Sequence, residues 1–419
     1  MTAATVLLPW MSHTRRLRVA VVGAGAAGLC AARHILSRQD TFAPPVVYEQ
    51  TKQLGGTWVY EERVGSYDNG LPIHSSMYRN LRTNLPKEVM MFPDFPFDPQ
   101  LPSFLPHQEV LRYLERYCQS HNITPHIRFE TVVEEVKPIS TETEAGKVTW
   151  EVTSSCGQRG QRTETFDGVF ICNGHFSDPH WPSIPGLECF KGKLLHSHSY
   201  RHPEPFAGQS VVILGAGASG IDISIELASI NAQVILSHSK PPLSFPLPRN
   251  QASPPSGPTE LGLQVRDQLI YPLYKFLLPP TFPSLFIVGV CKVICPFPHF
   301  HCQVQFALAV LDGSLALPSH EEMEEEVKRE MERKTGEGVE ARHLLKMDSD
   351  QWAYYRTLAS MGGFSPLPPV TQSLYEEVKR QRERHPLRYR QLNYQLVSDT
   401  QWEMLELHPE SKREGGKGK

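Results

Sequence analysis

Two copies of one glycine motif constrain this chain more than any other feature of its sequence. Gly23–Gly28 (GAGAAG) follows the β-branched run RVAVV, and Gly215–Gly220 (GAGASG) follows SVVIL; each then runs into a helix-forming segment. In such a strand–turn–helix unit the first glycine allows the tight turn, the second lets backbone approach a pyrophosphate, and the third lets helix pack closely on strand. The helix N-terminus offers free N–H groups to the phosphates. The sequence therefore predicts an α/β protein with two Rossmann-like dinucleotide-binding domains.

The residues after the first motif indicate which nucleotide it binds. A second strand, Pro45–Tyr48, ends at Glu49, where an acid about 20 residues past the motif hydrogen-bonds ribose hydroxyls and repels a 2′-phosphate. This selects FAD or NAD rather than NADP. The segment LGGTW (54–58) resembles the second FAD-contacting segment of glutathione-reductase-like flavoproteins and favours FAD. The predicted FAD contacts here are Gly23, Gly25, Ala26, Ala27, Gly28, Glu49, Gln53, Leu54, Gly56, Thr57 and Trp58.

The second motif lacks the acid. Its second strand, Gln233–Leu236, is followed by Ser237, His238, Ser239 and Lys240. Hydroxyls and a cation suit a 2′-phosphate, so NADPH is predicted in preference to NADH. The contacts expected from this pattern are Gly215, Gly217, Gly220, Ser237 and Lys240, with a solvated surface lysine as the alternative for Lys240. Two dinucleotide sites in one chain imply an electron path from nicotinamide to flavin.

Bulk properties exclude several other classes of protein. The chain has 419 residues, of which 40% are hydrophobic and 21% are charged, and its formal net charge is −3. This net charge creates no electrostatic field that would attract nucleic acid or an anionic membrane. Cys291 and Cys295 form a CxxxC without a second pair of ligands, so no metal site is predicted. Thr5–Trp10 is too short for a signal peptide, and prolines interrupt Leu277–Val293. We therefore expect a disordered extension (1–15), no membrane anchor and a cytoplasmic location.

A further motif lies between the two glycine loops. The run FKGKLLHSHSY (190–200) fits FxGxxxHxxx(F/Y), and on this motif the chain resembles the flavin-containing monooxygenases. The neighbouring FICNG (170–174) resembles the family's hinge strand that returns from the flavin domain. His196 is expected to hold the domain junction by hydrogen bonds rather than to act as an acid or base. The resemblance adds peripheral association with the endoplasmic reticulum as an alternative location.

The resemblance also implies further site residues. Ser219, Gly220, Ile221 and Asp222 match the family's NADP-contacting stretch. The segment 79–97 (RNLRTNLPKEVMMFPDFPF) resembles its active-site segment, in which Asn84 would face the flavin between Thr83 and Leu85; an ordinary turn asparagine is the alternative. The segment 296–303 resembles another family segment and adds Gln303 as a cofactor contact, although His301 stands where the family usually has glutamate.

The family resemblance implies a reaction. NADPH reduces FAD, dioxygen adds at the flavin C4a position, and the hydroperoxide oxygenates a soft nitrogen or sulfur atom, as in an N,N-dialkylaniline-type or sulfide monooxygenase. The partners implied are a small amine or sulfide and O2; the substrate and a homodimer are left open. The protein's part is orientation and a dry pocket. A Baeyer–Villiger oxygenase is the closest alternative, and Tyr200, where those enzymes usually have tryptophan, argues against it.

One departure from the family pattern concerns the region after the second unit. Segment 253–269 passes almost directly into Tyr271–Lys275, without the strands and threonine-glycine-tyrosine hinge expected between them. Such a gap predicts an exposed sheet edge and exposed apolar surface in the NADPH domain. It keeps open a third reading, a catalytically impaired FAD-binding isoform. The predicted domains are 16–180 (FAD, first part), 181–271 (NADPH, inserted and shortened) and 272–419 (FAD, second part, with the tail).

Overall fold

The computed structural model describes residues 15–139, 148–157, 160–237, 263–266 and 269–405. Residues 1–14 of the extension expected from the sequence lie outside this part of the chain, as does Lys240. Arg15, the last residue of that extension, is ion-paired with Asp167 through an Nη2–Oδ1 distance of 2.6 Å. Arg15 thus contacts the domain that the sequence predicts to bind FAD, called the flavin domain below, and the predicted domain boundaries stay predictions.

A five-stranded parallel sheet forms the centre of the flavin domain. Its strands are β1 (Val19–Val22), β2 (Val46–Tyr48), β3 (Ile127–Arg128), β7 (Gly168–Ile171) and β12 (Leu285–Ile287), in the order β12-β7-β1-β2-β3. Every neighbouring pair is parallel. The central strands are β-branched and buried, as expected for a sheet covered on both faces. All strands consequently end at the same edge, where ligands of open α/β sheets bind.

Helices and a second sheet cover the two faces. The helices are α1 (Ala26–Leu36), α2 (Lys87–Met90), α3 (His107–Ser120), α4 (Ala218–Ser229), α5 (Pro296–Leu311), α6 (His320–Gly336), α7 (Asp350–Gly362) and α8 (Pro369–Arg384). Except for α4, all contribute to one large apolar core, in which α1 packs on α5. The antiparallel sheet of β4 (Val132–Ile139), β5 (Thr149–Ser155) and β6 (Gln161–Phe166) packs on the other face through Trp150, Val152 and Phe166.

The second nucleotide unit is much thinner than the first. It consists of β8 (Ser210–Leu214), α4 and β9 (Gln233–Ser237), and among the described residues its parallel sheet has two strands. In β1 three of four residues are buried, whereas the apolar Val212, Leu214 and Ile235 of this sheet are 59%, 56% and 63% exposed. Val212 lies directly opposite Ile235 in the ladder, so these side chains form one apolar strip. This agrees with the apolar surface predicted from the gap in the sequence.

Two short strands occur where the sequence indicated none. They are β10 (Gln264–Arg266) and β11 (Leu269–Tyr271), and they pair with each other as an antiparallel hairpin instead of extending the second unit. Leu263, Leu269 and Ile270 pack with residues of the flavin domain, among them Val290, Cys291, Leu345 and Met347. The tail ends in a second hairpin of β13 (Asn393–Leu396) and β14 (Trp402–Leu405). Across the described ranges, no helix combines the length and apolar character needed to cross a bilayer.

Candidate nucleotide and active site

The first glycine loop has the geometry that its sequence predicted. Gly23 has a φ of +105°, and its N–H donates to the Tyr48 carbonyl across 2.7 Å, which joins the ends of β1 and β2. A Cβ on Gly28 would lie 1.8 Å from the Gly23 carbonyl oxygen, so only glycine allows this helix to sit so close to the strand. Helix α1 begins at Ala26 without a side-chain cap, which leaves N-terminal donors for a ligand.

The second glycine segment lies directly against the first. Gly55 N–H donates to the Ala24 carbonyl across 3.0 Å, and a Cβ on Gly56 would lie 3.0 Å from the Gly25 Cα. The two predicted FAD segments therefore meet in space, although most of α1 and all of β2 lie between them in the sequence. Of the other predicted contacts here, Leu54 and Trp58 pack on the core, and Gln53 and Thr57 are exposed. Ala26 and Ala27 line the start of α1 and are buried.

Two residues that sequence reasoning missed hold this segment. His74 is hydrogen-bonded through Nε2 to the Gly56 carbonyl (3.1 Å), and the Ser75 hydroxyl donates to the Thr57 carbonyl (3.0 Å). The His74 Nδ1 atom is buried and has no hydrogen-bond partner. No spacing pattern in the sequence marks these side chains, because their partners are carbonyls that any residue carries.

Glu49 occupies the end of β2, as predicted, and is 5% exposed. Its Oε2 accepts the Ala24 N–H (2.9 Å), and its Oε1 accepts the N–H (2.9 Å) and the hydroxyl (2.7 Å) of Thr51. The carboxylate is thereby fixed beside the first glycine loop, in position for the predicted ribose contact.

The ends of β7 and β12 complete this edge of the sheet. A Cβ on Gly23 would lie 2.5 Å from the Cys172 carbonyl oxygen, so the first loop also abuts the end of β7. Beyond β12, the Gly289 N–H donates to Gln303 Oε1 (2.8 Å), while Gln303 Nε2 donates to the Tyr354 hydroxyl (2.9 Å). Gln303 is fully buried, and these bonds give it a role in shaping the turn. Its predicted contact with a cofactor stays a prediction.

The segment around Asn84 is held tightly, but Asn84 itself is not. Thr83 N–H donates to the Leu105 carbonyl (2.8 Å), Leu105 N–H donates to the Thr83 hydroxyl (2.9 Å), and Arg390 Nε donates to the Thr83 carbonyl (3.0 Å). Leu85 packs on the core. The Asn84 side chain is half-buried and makes no hydrogen bond within the described residues. Its amide is thus available to a ligand, as a cofactor-facing asparagine requires.

The second glycine loop repeats the first in detail. Gly215 has a φ of +101°, its N–H donates to the Ser237 carbonyl (2.8 Å), and a Cβ on Gly220 would lie 2.0 Å from the Gly215 carbonyl oxygen. Helix α4 follows Gly217 without a side-chain cap. Ser219 and Ile221 lie in its exposed first turn, and Ser237 is half-buried at the end of β9.

Asp222 has partners that the sequence did not suggest. Its carboxylate accepts both terminal nitrogens of Arg390 (2.7 and 2.8 Å) and the Tyr78 hydroxyl (2.9 Å). One turn later, Glu226 accepts hydrogen bonds from Tyr200 and Asn80 (both 2.5 Å). Asp222 therefore faces the flavin domain, and a contact with the nucleotide stays a prediction.

The junction motif also acts through hydrogen bonds. His196 Nδ1 accepts the His198 N–H (3.1 Å) within its own segment, so its predicted role in holding the domain junction stays a prediction, and Tyr200 is buried against Tyr78. Arg201, missed at sequence level, is 6% exposed and donates only to backbone carbonyls, those of Glu61, Arg63, Ser75, His198 and Tyr200. Burial lowers the pKa of Arg201.

His301, the departure from the family pattern, lies on α5 within the core. It is hydrogen-bonded to His34 of α1 (3.2 Å) and to Gln305 (2.8 Å), and burial lowers its pKa to about 4. It is therefore neutral near pH 7. Within the part of the chain that the structure describes, no three His, Cys, Asp or Glu side chains gather in a group that could hold a metal.

The residues at the first site fit a dinucleotide with an unphosphorylated ribose. Two glycine backbones meet where a methyl group would intrude, the α1 N-terminus is uncapped, and a fixed carboxylate lies beside it. The second site offers the same loop and an uncapped α4, with the Ser237 hydroxyl in place of an acid. Both arrangements thus suit the nucleotides that the sequence predicted.

Comparisons with known proteins give a consistent picture. The model of the FMO-like family, described as flavin-binding monooxygenase-like, matches residues 16–245. The chain is 34% identical to the flavin-containing monooxygenase FMO GS-OX4 of Arabidopsis thaliana, over 89% of this chain and 90% of that protein. It is 32% identical to FMO GS-OX-like 4 of the same plant, over 92% and 96% respectively.

Solved structures agree in fold. The S-allyl-L-cysteine S-oxygenase of Allium sativum superposes with a TM-score of 0.78 at 32% identity and covers 90% of this chain and 96% of its own. Tmm from Pelagibacter sp. strain HTCC7211 superposes with a TM-score of 0.72 at 23% identity, over 94% and 96%, and supports the fold alone.

The alignments also contain gaps. The one with FMO GS-OX4 runs over 427 positions but uses 89% of this chain, about 373 residues, so about 54 positions have no counterpart here. The one with FMO GS-OX-like 4 runs over 440 positions and leaves about 55. A shortening of this size agrees with a loss of some tens of residues, and its place after the second unit stays a prediction.

Proposed function

Because this chain belongs to the flavin-binding monooxygenase-like family, whose typical cofactors are FAD and NADPH, we propose that it oxygenates a soft sulfur or nitrogen atom of a small molecule. One atom of O2 enters the substrate and the other leaves as water, with NADPH supplying the two electrons. The observation that carries the proposal is the free amide of Asn84, on a rigid segment that Arg390 links to the second glycine loop's helix.

The residues that we expect to act in this function lie in the two glycine loops, at the ends of β2 and β9, and in the segment around Asn84. Bound FAD supplies the redox and oxygen-activating chemistry. The loop at Gly23–Gly28 and the Gly56 backbone receive its pyrophosphate, while Glu49 accepts from its ribose. The Gly215–Gly220 loop receives the NADPH pyrophosphate, and Ser237 and Lys240 select the 2′-phosphate. Asn84 donates a hydrogen bond where negative charge develops on oxygen, and the surrounding core excludes water.

Sulfur is the preferred acceptor atom. The Allium sativum relative is named an S-allyl-L-cysteine S-oxygenase, and the similarity covers 90% of this chain. A thioether is a soft, neutral nucleophile, and it is the kind of atom that the name of this relative gives as its acceptor. We therefore expect thioethers to be better substrates than tertiary amines such as N,N-dialkylanilines.

The test is anaerobic mixing of the FAD-loaded protein with NADPH while the visible absorbance of oxidised flavin is followed, and then the admission of oxygen with an S-alkyl cysteine. We expect rapid bleaching, slower bleaching with NADH, and sulfoxide formed in proportion to the NADPH consumed. Hydrogen peroxide in place of sulfoxide would contradict the proposed oxygenation. N,N-dimethylaniline in parallel compares nitrogen with sulfur.

The thin second unit favours a second candidate function. Its exposed Val212, Leu214 and Ile235, and the alignment gaps of about 54 positions, suit a protein that binds FAD but is impaired in hydride transfer. Flavin that saturating NADPH fails to bleach, but dithionite bleaches, would support this second function instead.

A further inference from the structure

Arg390 joins three segments that are far apart in sequence. Its Nη1 and Nη2 atoms lie 2.7 and 2.8 Å from the two carboxylate oxygens of Asp222, in the parallel arrangement of a bidentate pair. Its Nε donates to the carbonyl of Thr83, the residue before Asn84. One guanidinium from the tail therefore links the helix of the second nucleotide unit to the active-site segment.

Other contacts support this link along the same face of α4. Tyr78 donates to Asp222 Oδ2 (2.9 Å), and Tyr200 donates to Glu226 one turn later. Ile223 and Leu227, on the same side of the helix, pack with Tyr78 and Tyr200 in a small apolar cluster. The helix is thus held at two successive turns, and Arg390 supplies the charged contact nearest the glycine loop.

The pair is buried enough to fix geometry. The side chains of Arg390 and Asp222 are 20% and 16% exposed. In most other ion pairs of the described residues at least one side chain is exposed to a larger fraction. In such partly desolvated surroundings a bidentate pair is screened little by solvent. Both Asp222 oxygens are occupied by protein donors, so the carboxylate is satisfied without any nucleotide.

We propose that Arg390 and Asp222 form a positioning pair that fixes the second nucleotide unit against the Thr83–Asn84 segment. The inference rests on the proposed function: the pair sets where the NADPH-bearing loop lies relative to the flavin face beside Asn84. Hydride transfer depends steeply on such placement, because an error of about 1 Å can cost roughly a hundredfold in rate.

The experiment compares R390A, D222N and the double variant in FAD-loaded protein. R390K keeps the charge but loses the bidentate fork. R380A is the matched control, because Arg380 is an exposed arginine of the same tail that pairs with Glu377 within α8 and contacts neither nucleotide unit. FAD content and melting temperature verify that each variant is folded.

Two measurements on these variants decide the question. Amide hydrogen exchange of α4, measured without NADPH, reports whether the helix is anchored. The limiting rate of anaerobic flavin reduction and the NADPH dissociation constant separate placement from affinity. In R390A and D222N we expect faster hydrogen exchange of α4 and a limiting rate of flavin reduction about 10- to 100-fold lower than in the wild type. R390K should lie between the wild type and R390A in both measurements. The double variant should be no more impaired than either single variant, because the two residues act as one pair. R380A should match the wild type.

Three outcomes have distinct meanings. If D222N binds NADPH more weakly while R390A matches the wild type in every measurement, Asp222 is a nucleotide ligand and the positioning pair is overturned. Unchanged α4 exchange, or effects of the two substitutions that add, would also overturn it. A wild type whose flavin NADPH cannot bleach would contradict the proposed function and the pair's role in it, whereas the exchange measurement still shows whether the anchor exists.

Discussion

At the scale of single residues, the contrast between Asn84 and its neighbours is informative. Thr83 uses its N–H, hydroxyl and carbonyl in hydrogen bonds to Leu105 and Arg390, whereas the Asn84 amide has no partner within the described residues. The side chain is half-buried, so solvent or a ligand can reach the amide. No protein contact gives it a structural role, and the amide is available to a ligand.

Replacing Asn84 should change chemistry without changing stability. In N84A we expect an unchanged melting temperature and FAD content, because no protein hydrogen bond is lost. The rate of sulfoxide formation should fall by about 10²- to 10³-fold, the usual effect on kcat of removing one donor to developing negative charge. The measurement is the rate of sulfoxide formation, with the hydrogen peroxide yield showing where the reducing equivalents go instead.

A second variant separates donation from shape. N84D keeps the size of the side chain but replaces the amide NH2 with a carboxylate oxygen. It should be as impaired as N84A; full activity in N84D would exclude hydrogen-bond donation by residue 84.

Sequence patterns located some of these residues and missed others for a physical reason. Gly23, Glu49 and Gly215 were predictable because a strand, a turn and a helix impose a local order on them. Arg201 and Arg390 were not, because their acceptors are carbonyls and a carboxylate up to 307 residues away. Every residue has a backbone carbonyl, so a sequence does not show which carbonyls accept hydrogen bonds.

At the scale of elements, the contact between β1 and α1 depends on one glycine. In G28A the new Cβ would meet the Gly23 carbonyl oxygen at 1.8 Å, and backbone cannot move aside cheaply. We expect the free energy of unfolding to fall by about 3 kcal/mol or more, with loss of FAD. Urea unfolding and flavin absorbance measure both.

The matched variant is G25A. Its Cβ would lie 3.6 Å from Gly56 Cα, an ordinary contact, so stability should change by less than about 0.5 kcal/mol. FAD should nevertheless bind more weakly, because the methyl group occupies the close approach to the pyrophosphate. Equal stability losses in G25A and G28A would contradict this account.

Helix α5 carries a second element-scale prediction, on pH. His299 is fully buried near Tyr354 and Tyr355, and neither ring nitrogen has a hydrogen-bond partner among the described residues. Burial, with a smaller effect of His175, lowers its pKa from 6.5 to about 3. Below pH 6.5 the imidazole of His299 binds a proton in the unfolded chain but stays neutral in the folded chain. The free energy of unfolding therefore falls as the pH drops toward 3.

H299F should remove this contribution. Relative to its own value at pH 7, the variant should keep about 2 kcal/mol more stability than the wild type at pH 5, measured by urea unfolding. His301, whose pKa is lowered to about 4, also makes the free energy of unfolding depend on pH, and it does so in both proteins. Parallel stability curves for the two proteins would contradict the buried neutral histidine.

The elements themselves were partly predictable. The glycine-linked strands β1, β2, β8 and β9 were predicted to within about one residue, because β-branched runs before a glycine turn are a strong signal. The hairpin β10–β11 was missed. Its strands are three residues each, too short for a periodic pattern, and they are stabilised by pairing with each other.

At the scale of the whole molecule, the two nucleotide units differ in how well they are covered. The apolar strip of Val212, Leu214 and Ile235 lies on a sheet with two strands among the described residues. An isolated pair of strands is marginally stable, and exposed apolar patches favour association. We therefore expect the strip to behave as an exposed apolar patch that favours association.

Substituting the strip should test this. In V212T/I235T we expect weaker binding of a hydrophobic dye and less aggregation, with unchanged FAD content, because neither side chain reaches the flavin domain. The control is L387T: Leu387 is 71% exposed but lies outside the strip, so its loss should leave dye binding unchanged. Equal effects of both substitutions would mean that the strip does not behave as a patch.

The position of Arg390 has a consequence for synthesis of the chain on the ribosome. The described strands and helix of the second unit end at Ser237, but its charged anchor is made about 150 residues later. At ordinary elongation rates, roughly ten seconds or more pass in which Tyr78 and Tyr200 can already hold α4 but its charged anchor has not yet been made. During that interval we expect the second unit to be attached to the flavin domain less firmly than in the finished chain.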